Sequence, residues 1–131
     1  MIFQKVSVII LHYNAVSDTL RCLESLRAID YSDYEIILID NASGDDALEM
    51  VRKYPGIILI KNEENLGYAG GNNTGIEYAL KNGASYVWLL NNDTIVEPNT
   101  LRELICAGQE DESVGLLSPV IFDYGPLGSI Q

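Results

Sequence analysis

Short apolar runs alternate with stretches of helical period along most of this chain. Four runs rich in aliphatic and β-branched side chains lie at residues 6–11, 35–39, 57–60 and 86–90. Continuous runs of this length are typical of parallel strands that helices cover on both faces. The pattern therefore predicts four parallel strands of one sheet.

A first helix is predicted after the first strand from an apolar face that comprises Leu20, Leu23, Leu26 and Ile29. Ser17 or Asp18 is its expected N-cap, and we expect it to end near Ala28. Ser43, followed three residues later by Asp46, predicts the start of a second helix after the second strand. The proline and glycine at positions 55 and 56 are expected to end that helix.

The segment after the third strand is rich in glycine. Positions 67, 70, 71 and 75 are glycines, and residues 61–75 show neither a helical nor a strand period. We expect a loop there whose backbone can approach a ligand closely. A third helix is predicted over residues 72–82, with Gly83 just beyond its end, and Pro98 suits the first turn of a fourth helix.

Strand and helix thus alternate four times, which predicts an α/β fold with an open, mostly parallel sheet and helices on both faces. Residues 1–131 are expected to form a single domain. A further apolar run at residues 114–122 contains Pro119, and residues 123–131 have no period and look like a chain cut within a longer protein. We expect the apolar run to lack part of its natural cover.

The charge balance narrows the range of partners. Eight Lys and Arg residues against 19 Asp and Glu residues give a net charge of −11. Such a balance repels phosphate backbones, so we expect neither nucleic acid nor an anionic membrane surface as a partner. An anionic small molecule would need helix amino ends or a bound cation.

Two features indicate a cytoplasmic protein. The apolar run near the amino end is shorter than a membrane span and no small-residue cleavage site follows it, so we interpret it as a strand and not as a signal peptide. Cys22 and Cys106 fall at helical positions without metal-ligand spacing. We expect both to be buried free thiols in a reducing compartment.

Polar clusters follow three of the predicted strands at the point where each strand ends. They are His12, Tyr13 and Asn14 after the first strand, Asp40, Asn41 and Ser43 after the second, and Asn91, Asn92 and Asp93 after the strand at 86–90. Because the carboxyl ends of parallel strands share one edge, we expect these clusters and the glycine segment to converge on a ligand site. A carboxylate such as that of Asp93 is a suitable ligand for a divalent cation.

Three common nucleotide or phosphate patterns are absent. The turn after the first strand contains no glycine, whereas dinucleotide-binding folds carry G-x-G-x-x-G there. The glycine segment has Asn72, Asn73 and Thr74 where a Walker A sequence has Lys and Ser or Thr. A phosphorylatable receiver domain needs paired acids after the first strand, and the first cluster has none.

The sequence resembles the amino-terminal, nucleotide-binding part of family 2 glycosyltransferases in four ordered segments: VSVIILHYN, IILIDNASGDD, NLGYAGGNNTG and WLLNNDTIVEPNTL. The similarity runs from about residue 6 to residue 122, and it looks most like the rhamnosyltransferase-like branch. The resemblance implies the GT-A fold and an inverting transfer of a sugar from a UDP- or dTDP-linked donor, dTDP-rhamnose among them, to an acceptor hydroxyl. The acceptor would be a carbohydrate or a lipid-linked molecule, which would place the full-length protein at the cytoplasmic face of a membrane.

The resemblance also implies a role for each cluster. The first would lie near the base and ribose, the second would bind the uracil or thymine ring and the ribose, and the glycine segment would line the nucleotide and the donor sugar. The implied nucleotide-sugar-binding residues are His12, Tyr13, Asn14, Asp40, Asn41, Ser43, Gly67, Tyr68, Gly70, Gly71, Asn72, Asn73, Asn91 and Asn92. Asp93, the last residue of the D-x-D equivalent, would hold Mg²⁺ or Mn²⁺ against the diphosphate.

The chain departs from the family pattern in two places. Asn91 replaces the first carboxylate of D-x-D, which predicts weaker metal binding. No general base is identified, and we expect it beyond Gln131, because the acidic run 110–112 and Asp123 are more typical of solvated surface.

Simpler interpretations remain open at this stage. His12 could make only a structural hydrogen bond at a strand exit, and Asp40 could merely cap the following turn. The chain could also be a nucleotide-binding fragment or pseudoenzyme without turnover, or an acidic α/β interaction domain.

Overall fold

The computed structural model describes residues 2–123. Four strands alternate with four helices along them. The strands are β1 (Val6–His12), β2 (Tyr34–Asp40), β3 (Ile58–Lys61) and β4 (Tyr86–Asn91). The helices are α1 (Val16–Leu26), α2 (Ala47–Val51), α3 (Gly67–Lys81) and α4 (Thr100–Glu110). The aperiodic end predicted for residues 124–131 lies outside the described residues.

All four strands are parallel and form one sheet in the order β3-β2-β1-β4. Alternate residues of the strands face opposite layers. Val8 and Ile10 of β1 lie in a core with residues of α1, α2 and α4, whereas Ile9 lies in a second core with Ala79 of α3. The predicted open parallel sheet with helices on both faces is therefore confirmed.

Strand β4 is less buried than its apolar sequence suggests. Leu90 is buried, but Leu89 is 42% exposed and the other apolar residues of the strand are half-buried. The expectation of a fully buried strand was wrong for these side chains. The reason is position: among residues 2–123, β4 pairs only with β1 and is therefore an outermost strand of the sheet.

The glycine segment is largely helical, which corrects the predicted loop. Helix α3 begins at Gly67, five residues before the predicted start. A Cβ atom on Gly71 would lie 2.5 Å from Leu11 Cδ1, and one on Gly75 would lie 2.6 Å from Ile9 Cγ2. Glycine is needed at these positions because α3 packs directly on the sheet, so helix packing explains residues whose composition suggested a loop.

Two predicted N-caps are also corrected. Helix α1 begins at Val16 with Ala15 before it and no side-chain cap, and it ends at Leu26, before Ala28. Asp46 caps the short helix α2, because its Oδ1 accepts the Glu49 N–H over 3.1 Å. Helix α1 thus lacks a side-chain cap, and the cap of α2 is the residue three positions after the predicted one.

Residues 114–117 lie beside α4 and β4, and residues 114–122 do not join the core. Leu116 is 92% exposed, and Val120 and Phe122 are also exposed. Between this segment, β4 and α4 lies an apolar groove of about 120 Å³. The segment therefore leaves a substantial apolar surface in contact with solvent, as expected. Among residues 2–123, no helix combines the length and the apolar character needed to cross a bilayer.

Replacement of Gly75 by alanine tests the contact between α3 and the sheet. We expect Gly75→Ala to lower the free energy of unfolding by about 1–3 kcal/mol, because the new methyl group meets the rigid β-branched side chain of Ile9. Urea titration followed by circular dichroism measures the change. Gly115→Ala is the matched control, since nothing lies within 4 Å of its Cβ position; equal stability of both variants would contradict the packing argument.

Replacement of Leu116 by aspartate tests the exposed surface. We expect the unmodified chain to self-associate as its concentration rises, and Leu116→Asp to shift it toward the monomer, since the side chain is 92% exposed. Light scattering over a concentration series measures this. The substitution should leave thermal stability nearly unchanged, and a wild type that stays monomeric at every concentration would refute the expectation.

Candidate functional site

The carboxyl ends of β1, β2 and β4 lie side by side at one edge of the sheet. His12 at the end of β1 is in register with Asp40 at the end of β2, and Leu11 is in register with Asn91 at the end of β4. Asp93 follows β4 by two residues. Asp40 and Asp93 therefore lie on the same edge, where open α/β sheets bind ligands.

A cleft of about 270 Å³ opens at this edge. Its lining comes from the end of β1 and the loop that follows it, from α3, and from the end of β4 and its loop. The lining residues are Leu11, Tyr13, Ala15, Tyr68, Asn72, Leu90, Asn91, Asn92 and Asp93. Six of them were predicted from the sequence, and they converge from three separate segments of the chain.

Two exposed tyrosines belong to this lining. Tyr13 is 49% exposed and Tyr68 is 61% exposed. The Tyr68 hydroxyl donates a hydrogen bond to Asn91 Oδ1 over 3.1 Å, which joins α3 to the end of β4. Aromatic rings of this kind offer a flat apolar surface with a polar tip, which suits the packing of a base or a sugar.

The turn that carries Asp93 is held by its neighbours. The backbone N–H of Thr94 donates to Asn91 O over 3.3 Å, and the Thr94 hydroxyl donates to the same oxygen over 2.6 Å. The thiol of Cys22 on α1 lies 3.7 Å from that oxygen. The backbone around Asp93 is therefore fixed, while its carboxylate remains exposed.

The loops after β1 and β2 are hydrogen-bonded to each other. Asn14 N–H donates to Ser43 Oγ over 2.9 Å, and Gly44 N–H donates to Asn14 Oδ1 over 2.7 Å. Asp40, which is 5% exposed, accepts the Ser43 N–H over 2.9 Å and so caps this turn. Asn14, Asp40 and Ser43 lie beside the cleft and are not part of its lining.

Asn41 is a buried hub that fixes the segment before α3. Its Oδ1 accepts hydrogen bonds from Asn62 Nδ2 over 3.0 Å and from Leu66 N–H over 3.1 Å. Its Nδ2 donates to Asn65 Oδ1 over 2.9 Å and to Gly67 O over 3.3 Å. These four bonds use the full hydrogen-bonding capacity of the amide, which is thus committed to placing the start of α3.

His12 is fully buried, and protein partners occupy both of its ring nitrogens. Nε2 lies 2.8 Å from Asp45 Oδ1, and Nδ1 lies 2.8 Å from Thr19 Oγ1. The same threonine oxygen accepts a hydrogen bond from Asn92 Nδ2 over 3.0 Å. This geometry corresponds to the simpler interpretation of His12, a histidine with structural hydrogen bonds at a strand exit.

The predicted residues of the glycine segment divide into two groups. Tyr68 and Asn72 line the cleft, and Asn72 Nδ2 donates back to Tyr68 O over 2.9 Å within α3. The remaining predicted residues belong to α3 but do not line the cleft: Gly67, Gly70, Gly71 and Asn73.

Sequence comparison identifies the family. The profile described as Glycosyl transferase family 2 matches residues 7–127. The chain belongs to the family 2 glycosyltransferases. The poly(ribitol-phosphate) beta-N-acetylglucosaminyltransferase TarP of Staphylococcus aureus strain N315 is 32% identical over 116 residues, which cover 84% of this chain and 35% of TarP. The chain thus spans about a third of the length of TarP, and from 14% to 44% of several other curated relatives.

Structural comparison agrees with this family. TarS of S. aureus (residues 1–349), crystallised in complex with UDP-GlcNAc, superposes with a TM-score of 0.72 at 26% identity over 81% of this chain and 31% of TarS. The mannosyltransferase PcManGT of Pyrobaculum calidifontis, crystallised with GDP-Man and Mn²⁺, superposes with a TM-score of 0.73 at 24% identity over 80% of this chain and 32% of its own. At 24% identity, the likeness to PcManGT is a likeness of fold alone. Both support the GT-A architecture expected for a member of this family.

The oxygen donors of the cleft suit a shared cation. Within the described part of the chain, Asp93 is the one carboxylate that lines the cleft. Residues 2–123 contain no group of three His, Cys, Asp or Glu side chains placed to hold a metal ion. Mg²⁺ is commonly held by one or two carboxylates together with waters and substrate phosphates. The donor set therefore fits a cation shared between Asp93 and a diphosphate, and does not fit one held by protein ligands alone.

The acidic run at residues 110–112 lies away from the cleft. Its neighbour Gln109 donates from Nε2 to Ile2 O over 2.6 Å, at the edge of the sheet where β1 begins. Hydrogen bonds from Ser113 lower the pKa of the Asp111 carboxyl, which makes it a poorer base. The contact of Gln109 with Ile2 places this run near the amino end of β1, whereas the cleft lies at the carboxyl ends of the strands.

Several residues that shape the site were missed by sequence reasoning. Thr19 and Asp45 hold His12, and Asn62 and Asn65 hold Asn41. A signal existed for the first pair, because a buried histidine requires hydrogen-bond partners. The sequence does not say which residues those partners are, since they come from distant segments.

The reactivity of Cys22 tests whether the contact between α1 and the end of β4 is closed to solvent. Cys22 is buried as predicted, whereas Cys106 is half-buried, which corrects the expectation for that thiol. Burial raises the pKa of the Cys22 thiol to about 11 and outweighs the hydrogen bond from Thr94, which acts in the opposite direction. At pH 8 only about one thiol in a thousand would then be ionised, against about a quarter for an ordinary cysteine.

We therefore expect Cys22 to resist iodoacetamide at pH 8 in the folded chain and to react readily in urea. Peptide-level mass spectrometry measures the extent of labelling at each cysteine. Labelling of Cys22 at the same rate with and without denaturant would show that the α1–β4 contact is open.

Proposed function

We propose that this chain is the donor-binding part of an inverting glycosyltransferase that uses a UDP- or dTDP-linked sugar. The observation that carries the proposal is the cleft at the carboxyl edge of the sheet, which combines two exposed tyrosines, three asparagines and the carboxylate of Asp93. Support for a nucleotide sugar comes from TarS, which was crystallised with UDP-GlcNAc. The resemblance of the four motifs to the rhamnosyltransferase-like branch keeps dTDP-rhamnose among the candidate donors.

The base and ribose belong, in this proposal, near Tyr13 and Asp40. One oxygen of Asp40 is used by the Ser43 N–H, and a carboxylate has further acceptor capacity. The N–H of a uracil or thymine ring and a ribose hydroxyl are donors that can use it. The exposed ring of Tyr13 provides a surface on which the base can pack.

The diphosphate belongs near Asp93. Two unit charges of like sign about 4 Å apart repel by about 4 kcal/mol near a protein surface, and the chain carries a net charge of −11. A divalent cation held by Asp93 would remove this repulsion and stabilise the leaving diphosphate. The Mn²⁺ in the PcManGT crystal is consistent with such a cation at the level of fold.

The proposed transfer is a single displacement. A base takes the proton of an acceptor hydroxyl, the oxygen forms a bond to the anomeric carbon, and the bond from that carbon to the diphosphate breaks on the opposite side. The general base stays unassigned; we propose that it is contributed by sequence beyond Gln131. The acceptor is proposed to be a carbohydrate or lipid-linked hydroxyl at a cytoplasmic location.

A second candidate function is nucleotide binding without turnover. It is favoured by the location of the acidic run 110–112, which by charge could supply a general base but lies at the edge of the sheet opposite the cleft. Both candidates require donor binding, and they differ in whether sugar is transferred. We expect the 131-residue chain alone to bind nucleotide and to show little or no transfer.

Calorimetric titration with UDP, dTDP and GDP, with and without Mn²⁺ or Mg²⁺, tests the donor site. We expect UDP or dTDP to bind more tightly than GDP and the affinity to rise when the metal is present. Asp93→Asn should reduce the metal-dependent gain in nucleotide affinity about tenfold or more. Loss of an outer partner of a metal ligand already costs about 10–100-fold, and this substitution removes the carboxylate that shares the cation. Asp40→Ala should weaken binding with and without metal, because its proposed partner is the base or the ribose.

Asp33→Asn is the matched control, since it removes the same charge from an exposed residue at the opposite edge of the sheet. Circular dichroism of each variant excludes loss of fold. Metal-independent binding that Asp93→Asn leaves unchanged would remove the metal assignment. Absence of nucleotide binding by the wild type would favour an interaction domain.

A further inference from the structure

Four polar side chains form a chain of hydrogen bonds beneath the cleft. In order they are Asp45, His12, Thr19 and Asn92, with successive contacts of 2.8, 2.8 and 3.0 Å. They join the loop after β2 to the loop after β4 through β1 and α1. His12 and Thr19 have no exposed surface, whereas Asn92 lines the cleft next to Asp93. We call this set the relay.

The donors and acceptors give the relay a direction. The carboxylate of Asp45 can only accept, so Nε2 of His12 carries the proton between them. In the neutral imidazole Nδ1 is then an acceptor, and the hydroxyl of Thr19 donates to it. The lone pairs of Thr19 Oγ1 are left to accept, and Nδ2 of Asn92 is the group that donates to them.

This direction decides which end of the Asn92 amide is available to the cleft. Because Nδ2 is bonded to Thr19, the relay leaves the carbonyl Oδ1 uncommitted. A carbonyl oxygen is a ligand for hard cations, whereas an NH₂ group in the same place would repel them. A reversed amide would put Oδ1 against a threonine oxygen whose proton is already used, so the relay opposes the reversal.

We propose that His12 and Thr19 are positioning residues of the donor site, which hold the Asn92 carbonyl oxygen toward the cation and diphosphate beside Asp93. The inference rests on the proposed function, because it needs a nucleotide and a cation in the cleft. Neither buried residue touches the ligand, and both act through Asn92. Removal of such an outer partner commonly weakens metal-dependent binding by about 10–100-fold.

Two substitutions of Thr19 separate the hydroxyl from the volume of the side chain. Thr19→Val keeps the shape and removes the hydroxyl, and Thr19→Ser keeps the hydroxyl. UDP is titrated into each variant with and without Mn²⁺. We expect Thr19→Val to reduce the Mn²⁺-dependent gain in UDP affinity about tenfold and Thr19→Ser to retain it within about twofold.

Asp45→Ala provides a second, milder variant. The Asp45 side chain is 21% exposed and is not part of the cleft lining. Its loss leaves Nε2 of His12 without this partner, which should lower stability, so circular dichroism checks that the variant is folded. Without the carboxylate the proton is no longer held on Nε2 of His12, and the relay loses its fixed direction. We expect a severalfold reduction in the Mn²⁺-dependent gain.

Ser7→Ala is the control for a purely structural effect. Ser7 is also fully buried, and its hydroxyl donates to Glu35 over 2.6 Å near the other end of β1. We expect its loss to lower stability without changing UDP affinity. The side-chain amide of Asn92 in ¹H–¹⁵N spectra gives an independent signature: two resolved, slowly exchanging signals in the wild type and in Thr19→Ser, and loss of that protection in Thr19→Val.

The titration of the wild type with UDP distinguishes failure of the positioning role from failure of the donor site. If the wild type gains UDP affinity from Mn²⁺ but Thr19→Val gains as much, or Thr19→Ser does not restore the gain, the positioning role is overturned and the donor site stands. If the wild type binds no nucleotide, or gains nothing from Mn²⁺, the donor site itself fails and the positioning role falls with it.

Discussion

The close approach of α3 to the sheet is the contact on which the site depends. Cβ atoms at Gly71 and Gly75 would meet Leu11 and Ile9, so a helix with side chains at these positions could not lie at this distance. The same approach brings the first turns of α3 alongside the end of β1 and places Tyr68 and Asn72 in the cleft. A packing requirement in the core thereby determines one wall of the cleft.

Hydrogen bonds of amides, hydroxyls and one imidazole hold the loops at the carboxyl ends of the strands. Asn41 fixes the start of α3, His12 joins three segments, and Asn14 joins the loops after β1 and β2. Among the described residues, no buried side-chain nitrogen or oxygen lacks a hydrogen-bond partner. A network in which every group is satisfied costs little in desolvation and leaves few alternative arrangements, so the geometry of the cleft is set before any ligand arrives.

The sequence predicted the strands well because an apolar run records burial on both faces of a sheet. Each observed strand begins and ends within two residues of its predicted bounds. Gly71 and Gly75 show where such reasoning fails: glycine composition suggested a loop, and only the positions of Leu11 and Ile9 explain why a helix needs glycine at these two sites. His12 and Asn41 show the corresponding limit for the site, because the partners that hold their side chains come from distant segments and could not be read from the sequence.

The hydrogen bond between Tyr68 and Asn91 occupies one of the two acceptor positions of Asn91 Oδ1. A donor group of a bound molecule can use the second position without displacing the tyrosine, but only from the side that the hydroxyl leaves open. Such a bond contributes up to about 1 kcal/mol when it is well oriented and little when it is not. The tyrosine thus limits the directions from which a molecule can be recognised at Asn91, which favours molecules whose donor groups have one particular geometry.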